Sequence, residues 1–281
     1  MLDSPAETRC RLRRCALTSS TPEALWASRS VRLLRPAAVA TRGLRRMVDG
    51  RPLLDGVDLS VPVGARLLIV AEPEEAASTL LRVLAGLLRP TSGTFELAGL
   101  SRPGPAGGWA RRVAYIPPEP GIYPWLTARE AVDLAARLAG VDPADRHQRV
   151  QTLLARFRVL PEADRPLRRA GPIVAQKAAM AAALVAEPEV LLLDDPLRSL
   201  DPGERARLMR VPGRRRTVVL ASRYPASEAG LVNQVALLRR GRLALHVGAD
   251  QLGAHGLPLS LRGIQALSGV LDGPLPAAAH G

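Results

Sequence analysis

The chain predicts an α/β fold built on a mostly parallel sheet, and three observations carry that expectation. Val190–Leu193 and Val218–Leu220 are continuous apolar runs, the pattern of strands buried on both faces. Leu67–Val70 is a third such run, and it passes through a short turn into the helical stretch Leu80–Leu88. Helical stretches alternate with these strands, as in sheets covered by helices.

The elements follow in order. Residues 1–35 carry no sustained periodicity and are expected to form a flexible leader. Ala38–Gly43 and Val57–Val61 alternate like strands of an antiparallel layer, with Asp49-Gly50 between them as a hairpin turn signal. After the strand and helix around residue 70, Pro90-Thr91-Ser92-Gly93 is expected to close the helix; Thr94–Leu97 and Val113–Ile116 resume as strands. Residues 127–172 look like a helical insertion. Thr127 with Glu130 forms a capping box for a helix that Gly140 can end. Asp142-Pro143 supplies an N-cap and an N1 proline to the next, with Val150, Leu153, Leu154 and Phe157 on one face. Ile173–Ala186 is an alanine-rich helix. Val235–Leu238 and Arg242–His246 around Gly241 read as a terminal hairpin. Residues 36–253 thus form one domain, and 254–281 are expected to be a loosely ordered tail.

Composition excludes several classes. At 281 residues and 47% hydrophobic content the chain can bury a sizeable core. No apolar run approaches the roughly eighteen residues of a membrane span. The arginines at the N-terminus lack the apolar segment of a secretory signal, and a cytoplasmic location is expected. Cys10 and Cys15 have no histidine or further cysteine nearby to suggest a metal site. Net charge is +13, and Lys177 is the only lysine. Such a balance is compatible with nucleic-acid or membrane-surface binding. The arginines, however, fall in short clusters such as Arg11–Arg14, Arg168–Arg169 and Arg214–Arg216, and aromatics make up 3% of the chain. Without an aromatic platform, a solvated basic surface is the preferred reading and nucleic acid is not expected as a partner.

The turn between strand and helix is the informative segment. Its frame is that of a phosphate-binding loop, normally G-x-x-x-x-G-K-[ST]. Here it reads Ala71-Glu72-Pro73-Glu74-Glu75-Ala76-Ala77-Ser78-Thr79. A phosphate loop offers a lysine, a ring of amides and a helix N-terminus to a polyanion. This one offers no lysine and adds three glutamates. One carboxylate about 6 Å from a phosphate charge costs roughly 3 kcal/mol at an effective dielectric near 20. Loss of the charge-assisted lysine contact adds about 1.5–3 kcal/mol. Half that total weakens binding about a hundredfold. Pro73 with two acids suits a first helical turn, so a helix start near Pro73 is expected, with its own carboxylates filling the anion site.

Two further blocks carry a resemblance. Thr79–Gly99, with Leu-Leu-Arg-Val-Leu-Ala-Gly-Leu-Leu-Arg-Pro-Thr-Ser-Gly at its centre, is similar to the segment after the Walker A motif of ATP-binding cassette (ABC) ATPases. Glu187-Pro-Glu-Val-Leu-Leu-Leu-Asp-Asp-Pro-Leu-Arg-Ser-Leu-Asp-Pro202 resembles their Walker B motif and D-loop. The resemblance covers about residues 38–253. Tyr123-Pro-Trp-Leu-Thr-Ala-Arg-Glu130 looks most like the branch that powers drug and antibiotic exporters. It implies a P-loop NTPase-type (RecA-like) fold with an antiparallel β subdomain and an inserted helical subdomain, ATP and Mg²⁺ as ligands, a membrane permease as partner, and a homo- or heterodimer at the inner face of the membrane.

Read position by position, the resemblance also implies loss. The Walker A glycines fall on Ala71, Glu74 and Ala76 and the lysine on Ala77, leaving Ala76, Ala77, Ser78 and Thr79 as a degenerate nucleotide site. Ser78 and Asp194 stand at the Mg²⁺ positions. Asp195 stands where the family has a catalytic glutamate, one methylene shorter. Val48 takes the place of the adenine-stacking aromatic, Pro118 of the Q-loop glutamine, Ala170–Val174 of the signature, and Arg223 of the switch histidine. Trp125 is placed to line the groove for a permease coupling helix, though a core or merely exposed tryptophan serves equally.

Alternatives stay open at several of these positions. Asp194 can bind a metal or hydrogen-bond Ser78. Asp201 can serve the D-loop or simply cap a helix. Arg223 can pair with Glu74 or Glu75. The favoured function is a pseudo-ATPase associated with an exporter permease, with impaired ATP binding. The alternatives are an active, unconventional ABC ATPase energising export through Arg223, Ser78 and Asp194, and a nucleotide-free regulator that binds nucleic acid.

Overall fold

The computed structural model describes residues 36–101, 111–195, 200–209 and 216–272. The expected leader with Cys10 and Cys15, the arginines at 214 and 215, and residues 273–281 of the expected tail lie outside the described residues.

Alternation of apolar side chains builds the centre. A six-stranded sheet has the order β10-β9-β3-β8-β7-β6: β3 is Arg66–Glu72, β6 Val113–Ile116, β7 Val190–Asp194, β8 Thr217–Ala221, β9 Gln234–Arg239 and β10 Arg242–Gly248. All neighbours pair in parallel except β9 and β10, the antiparallel hairpin at one edge. Leu68, Val70, Leu191, Leu193 and Leu220 point to one face, and Leu67, Ile69, Leu192 and Val219 to the other; both faces are buried. That two-sided burial is why these strands read as unbroken apolar runs.

On one face lies helix α1, Glu75–Leu84, and beyond it a four-stranded antiparallel sheet of order β2-β1-β4-β5. Its hairpin joins β1 (Ala37–Val48) to β2 (Arg51–Pro62) through Asp49 and Gly50, both at positive φ (48° and 75°), as a two-residue hairpin turn requires. Strands β4 (Ser92–Leu97) and β5 (Leu100–Ser101) complete the layer.

On the other face the helical insertion comprises α2 (Ala128–Leu138), α3 (Pro143–Arg156) and the short α4 (Leu167–Ala170), followed by α5 (Pro172–Leu184). The capping box of Thr127 and Glu130 is formed in both directions, and the Asp142 carboxylate accepts from the Ala144 amide. Val150, Leu154 and Phe157 are buried, while Leu153 is half-buried against the same core.

Two expectations are corrected. Helix α1 ends before Pro90. Gly86, at φ 77°, donates to the Val83 carbonyl while the Leu87 amide donates to Arg82, a paired C-terminal closure that caps the last turn. The region after residue 253 is not loose throughout. Helices α7 (Asp250–Ala254) and α8 (Leu261–Asp272) follow, α6 being Pro202–Met209, and Ile264 and Leu267 of α8 are fully buried. Their spacing of three places both on one helical face, a signal too short to distinguish from loop sequence beforehand.

The single lysine is spent on structure. Lys177 of α5 donates to Glu204 of α6 at 2.6 Å, and that carboxylate, 3% exposed, also accepts from the Asp201 amide. Asp201 in turn accepts from the Glu204 amide, so it caps α6 as the capping alternative requires.

Replacing Lys177 by Met is expected to destabilise the domain by about 3–5 kcal/mol, because Glu204 is left charged and buried. The double variant Lys177→Met/Glu204→Met should lose less than that in urea denaturation. A second outcome concerns Glu228, buried with one carboxylate oxygen lacking a hydrogen bond and with Arg205 3.8 Å away. Burial pushes its carboxyl above the ordinary range. A raised folded-state value means that the native state loses stability as pH rises from the unfolded value through the folded one. Glu228→Gln should therefore raise Tm at neutral pH, with the gain vanishing at acid pH.

Candidate functional site

The carboxyl ends of β3, β7 and β8 meet at the N-terminus of α1, and a cavity of about 530 Å³ opens there. Crevices at this end of a parallel sheet are the usual place for a ligand. The groups around it are mainly acidic: Glu72, Glu74, Glu75, Asp194 and Asp195 against the two cations Arg82 and Arg223.

The turn itself has closed on its own backbone. The Ala76 amide donates to the Pro73 carbonyl and the Ala77 amide to Glu74, both at 3.1 Å. No residue from 71 to 79 has the left-handed φ that glycines supply in a wrapping loop. Helix α1 starts at Glu75, two residues later than expected, with Glu74 already in helical geometry and no side-chain cap. Pro73 and Glu74 are used to make the preceding turn.

The expected site residues divide. Ala76 and Ala77 are buried in the core between the two sheets, and Thr79 is 7% exposed. Ala77, Ser78 and Thr79 border the cavity, whereas Ala76 does not. Ser78 donates to Asp194 Oδ1 at 2.7 Å, so the hydrogen-bonding alternative for Asp194 is realised. The second oxygen of Asp194 accepts from the Tyr115 hydroxyl at 2.8 Å, and Arg82 lies 4.0 Å from it. Asp194 is 2% exposed and needs these partners. Burial, with the carboxylate beside it, pushes the Tyr115 phenol up to about 12, so it remains a donor throughout the physiological range.

Asp195 sits at φ 48°, a left-handed conformation that aspartate tolerates better than most residues. Its amide donates to the Ala221 carbonyl, and its carboxylate accepts from Arg223 Nε at 3.0 Å. Arg223 also approaches Glu74 at 3.9 Å. The pairing with Glu74 thus exists as the longer contact, and Asp195 is the closer partner, missing from the sequence reading. The Asp195 carboxylate holds the Arg223 guanidinium above its ordinary value.

The glutamates do not jointly fill the anion site. Glu72 borders the cavity but is already engaged: its carboxylate accepts from Gln265 of α8 at 2.6 Å, and its backbone carbonyl accepts from the Arg240 amide. Glu75 remains exposed. Pro118 borders the cavity. At the signature position α4 ends on Gly171 at φ 92°, and α5 begins with Pro172. Val48 and Met47 are partly exposed at the β1 end, and Trp125 is 61% exposed, stacked on Tyr123 with centroids 5.0 Å apart. The sequence reading missed Tyr115, Arg82 and Gln265; a tyrosine in a short strand and a glutamine in an expected tail give no signal until the elements pack.

Known proteins share this architecture. The family model described as ABC transporter matches residues 54–198. The aliphatic sulfonates import ATP-binding protein SsuB of Corynebacterium glutamicum is 34% identical over 77% of this chain and 86% of its own length. The daunorubicin resistance ATP-binding protein DrrA3 of Streptomyces coeruleorubidus is 28% identical over 77% of this chain and 70% of its own. Among solved structures, an ATP-binding subunit of an ABC transporter superposes with a TM-score of 0.71 at 23% identity, covering 82% of this chain and 99% of that one. A dimeric ATP-binding cassette bound to ADP and Pi gives 0.66 at 19% identity, covering 75% and 98%.

Asp194→Ala is expected to cost roughly 2–4 kcal/mol without any nucleotide or metal, since two hydroxyl donors lose a charged acceptor. Chemical denaturation in the presence of a chelator measures it. A carboxylate kept only for a metal would leave stability unchanged.

Proposed function

This chain belongs to the ABC transporter family of ATP-binding subunits, and within that family we propose a degenerate member: a pseudo-ATPase with impaired ATP binding and hydrolysis that works as the partner of a membrane permease. Members of the family bind ATP with Mg²⁺, form dimers and pair with permease components. The single observation that supports degeneracy is that the groups expected to meet nucleotide are already engaged within the chain. Both oxygens of Asp194 accept hydrogen bonds from Ser78 and Tyr115, and Asp195 is paired with Arg223.

Residues 71–79 do not fit a Mg²⁺-bound triphosphate. They bring no cation, their Ala76 and Ala77 amides are turned to the chain's own carbonyls, and Glu74 and Glu75 stand exposed at the helix start. Like charges at that point oppose the ligand. The mismatch extends to both halves of a dimeric site. The Walker face spoils one site and the signature face, with Gly171-Pro172 in place of the serine and glycine, spoils the other.

The permease partner is read as an exporter's on the strength of the Tyr123–Glu130 segment, whose Trp125 and Tyr123 form an exposed stacked pair suited to a protein contact. Relatives named for sulfonate import and for daunorubicin resistance both align with this chain, so the direction of transport rests on that segment alone. No helix among the described residues is long and apolar enough to cross a membrane. Attachment to the inner face of the membrane is accordingly assigned to the permease.

Titration of the pure protein with a fluorescent ATP analogue, with and without Mg²⁺, is expected to give a Kd of about 1 mM or weaker, with no Mg²⁺-dependent turnover. A Kd near 1 μM, or turnover abolished by Asp194→Asn, would replace this reading with that of an active, unconventional ATPase. Affinity purification from the native membrane is expected to recover a permease, and its loss on Trp125→Ala would locate the contact.

A further inference from the structure

We propose a binding site for a phosphoryl dianion, as free phosphate or as a phosphate monoester, where Arg149, Arg156 and Arg216 meet at the N-terminal end of the parallel sheet. It lies at the opposite strand ends from the candidate functional site and does not depend on how that site is read.

Three segments come together there. Arg216, the described member of the Arg214–Arg216 cluster, immediately precedes β8, and the turn Glu187-Pro188-Glu189 leads into β7. Arg149 and Arg156 stand seven residues apart on α3 and so share one face of that helix. The Arg216 Nε–H donates to the Pro188 carbonyl at 2.8 Å, which fixes the guanidinium against the turn. Arg149 reaches the same turn from α3, 3.7 Å from Glu187, and Arg156 is close enough to Arg216 to repel its charge.

The local charges do not close among themselves. Glu189 is taken by Arg112, whose Nε and Nη2 bind its two oxygens at 2.8 and 2.9 Å. That leaves Glu187 as the carboxylate of the turn facing both Arg149 and Arg216. Arg149 also stands 3.6 Å from Asp145, and neither of its approaches is short enough for a hydrogen bond. The Nη1 of Arg216 is enclosed and donates to no described acceptor. Burial lowers the Arg216 guanidinium below its ordinary value; Glu187 opposes that shift and Arg156 adds to it. An enclosed, charged donor without an acceptor is costly to keep.

What the cluster lacks is one acceptor that several guanidiniums can share. A phosphoryl group supplies it, because its oxygens suit the planar fork of arginine and its charge offsets the repulsion between neighbouring guanidiniums. Access is available from one side, where the Arg149 and Glu187 side chains are 37% and 59% exposed. Glu187 is the group that opposes an anion here. Its exposure screens that charge, and its removal separates an anion site from a purely structural ion-pair network.

The test is isothermal titration calorimetry of the full chain at constant ionic strength with inorganic phosphate, glycerol phosphate and chloride. Saturable binding of phosphate or glycerol phosphate is expected, the tighter of the two naming the source, and none of chloride. Arg149→Gln and Arg216→Gln should each weaken it at least about tenfold, and Glu187→Gln should tighten it. Arg216→Gln also removes the contact with Pro188, so Arg149→Gln, on a partly exposed side chain, keeps the test independent of folding. Absence of saturable binding, binding that survives both arginine variants, or binding weakened by Glu187→Gln overturns the proposal. Loss of binding in Arg82→Gln/Arg223→Gln alone also overturns it, and by placing the anion in the candidate functional site counts against the degenerate reading as well.

Discussion

One buried carboxylate organises the site end of this molecule. Asp194 closes strand β7, and its two oxygens gather a helix and a neighbouring strand: Ser78 from α1 and Tyr115 from β6. At 2% exposure it cannot be left ionised and unsatisfied, so the registration of α1 over the sheet is coupled to its hydrogen bonds. Everything around the cavity is placed relative to that anchor. The turn 71–79 hangs between β3 and α1, and Asp195 follows on the strand's exit, where Arg223 meets it from the end of β8.

Around this anchor, cations tie separate elements together. The sole lysine lies in α5, bound to Glu204, and serves to tie two helices together. Arg223 binds two acids, Asp195 closely and Glu74 at longer range, and so bridges the exits of two strands and the start of α1. Gln265 pairs with Glu72 at the cavity wall and links α8 to the turn. The result is a frame whose charges at this end are paired largely from within the chain.

Legibility varied with the range of the signal. The strands were readable because both faces are buried, and the Thr127–Glu130 box and Asp142-Pro143 because caps act within three residues. The stop of α1 was misplaced at Pro90 because Gly86, a lone glycine among apolar residues, gives little warning of a paired C-terminal closure. Helix α8 was missed because its buried face comprises few residues, Ile264 and Leu267 foremost, in a stretch otherwise rich in glycine and leucine. The choice between capping and D-loop duty for Asp201 needed the reciprocal bonds with Glu204.

The sequence by itself determined the α/β frame, the family, and the chemical character of the turn, because these depend on periodicity and on residue identity at a known spacing. It also determined that no lysine and three glutamates stand in that turn. Only the tertiary structure decided where each charge goes: Asp194 to Ser78 and Tyr115, Asp195 to Arg223, Glu72 to Gln265. Those partners come from segments 28 to 193 residues away. Pairing across such separations is set by how the sheet and helices pack, and no local pattern encodes it.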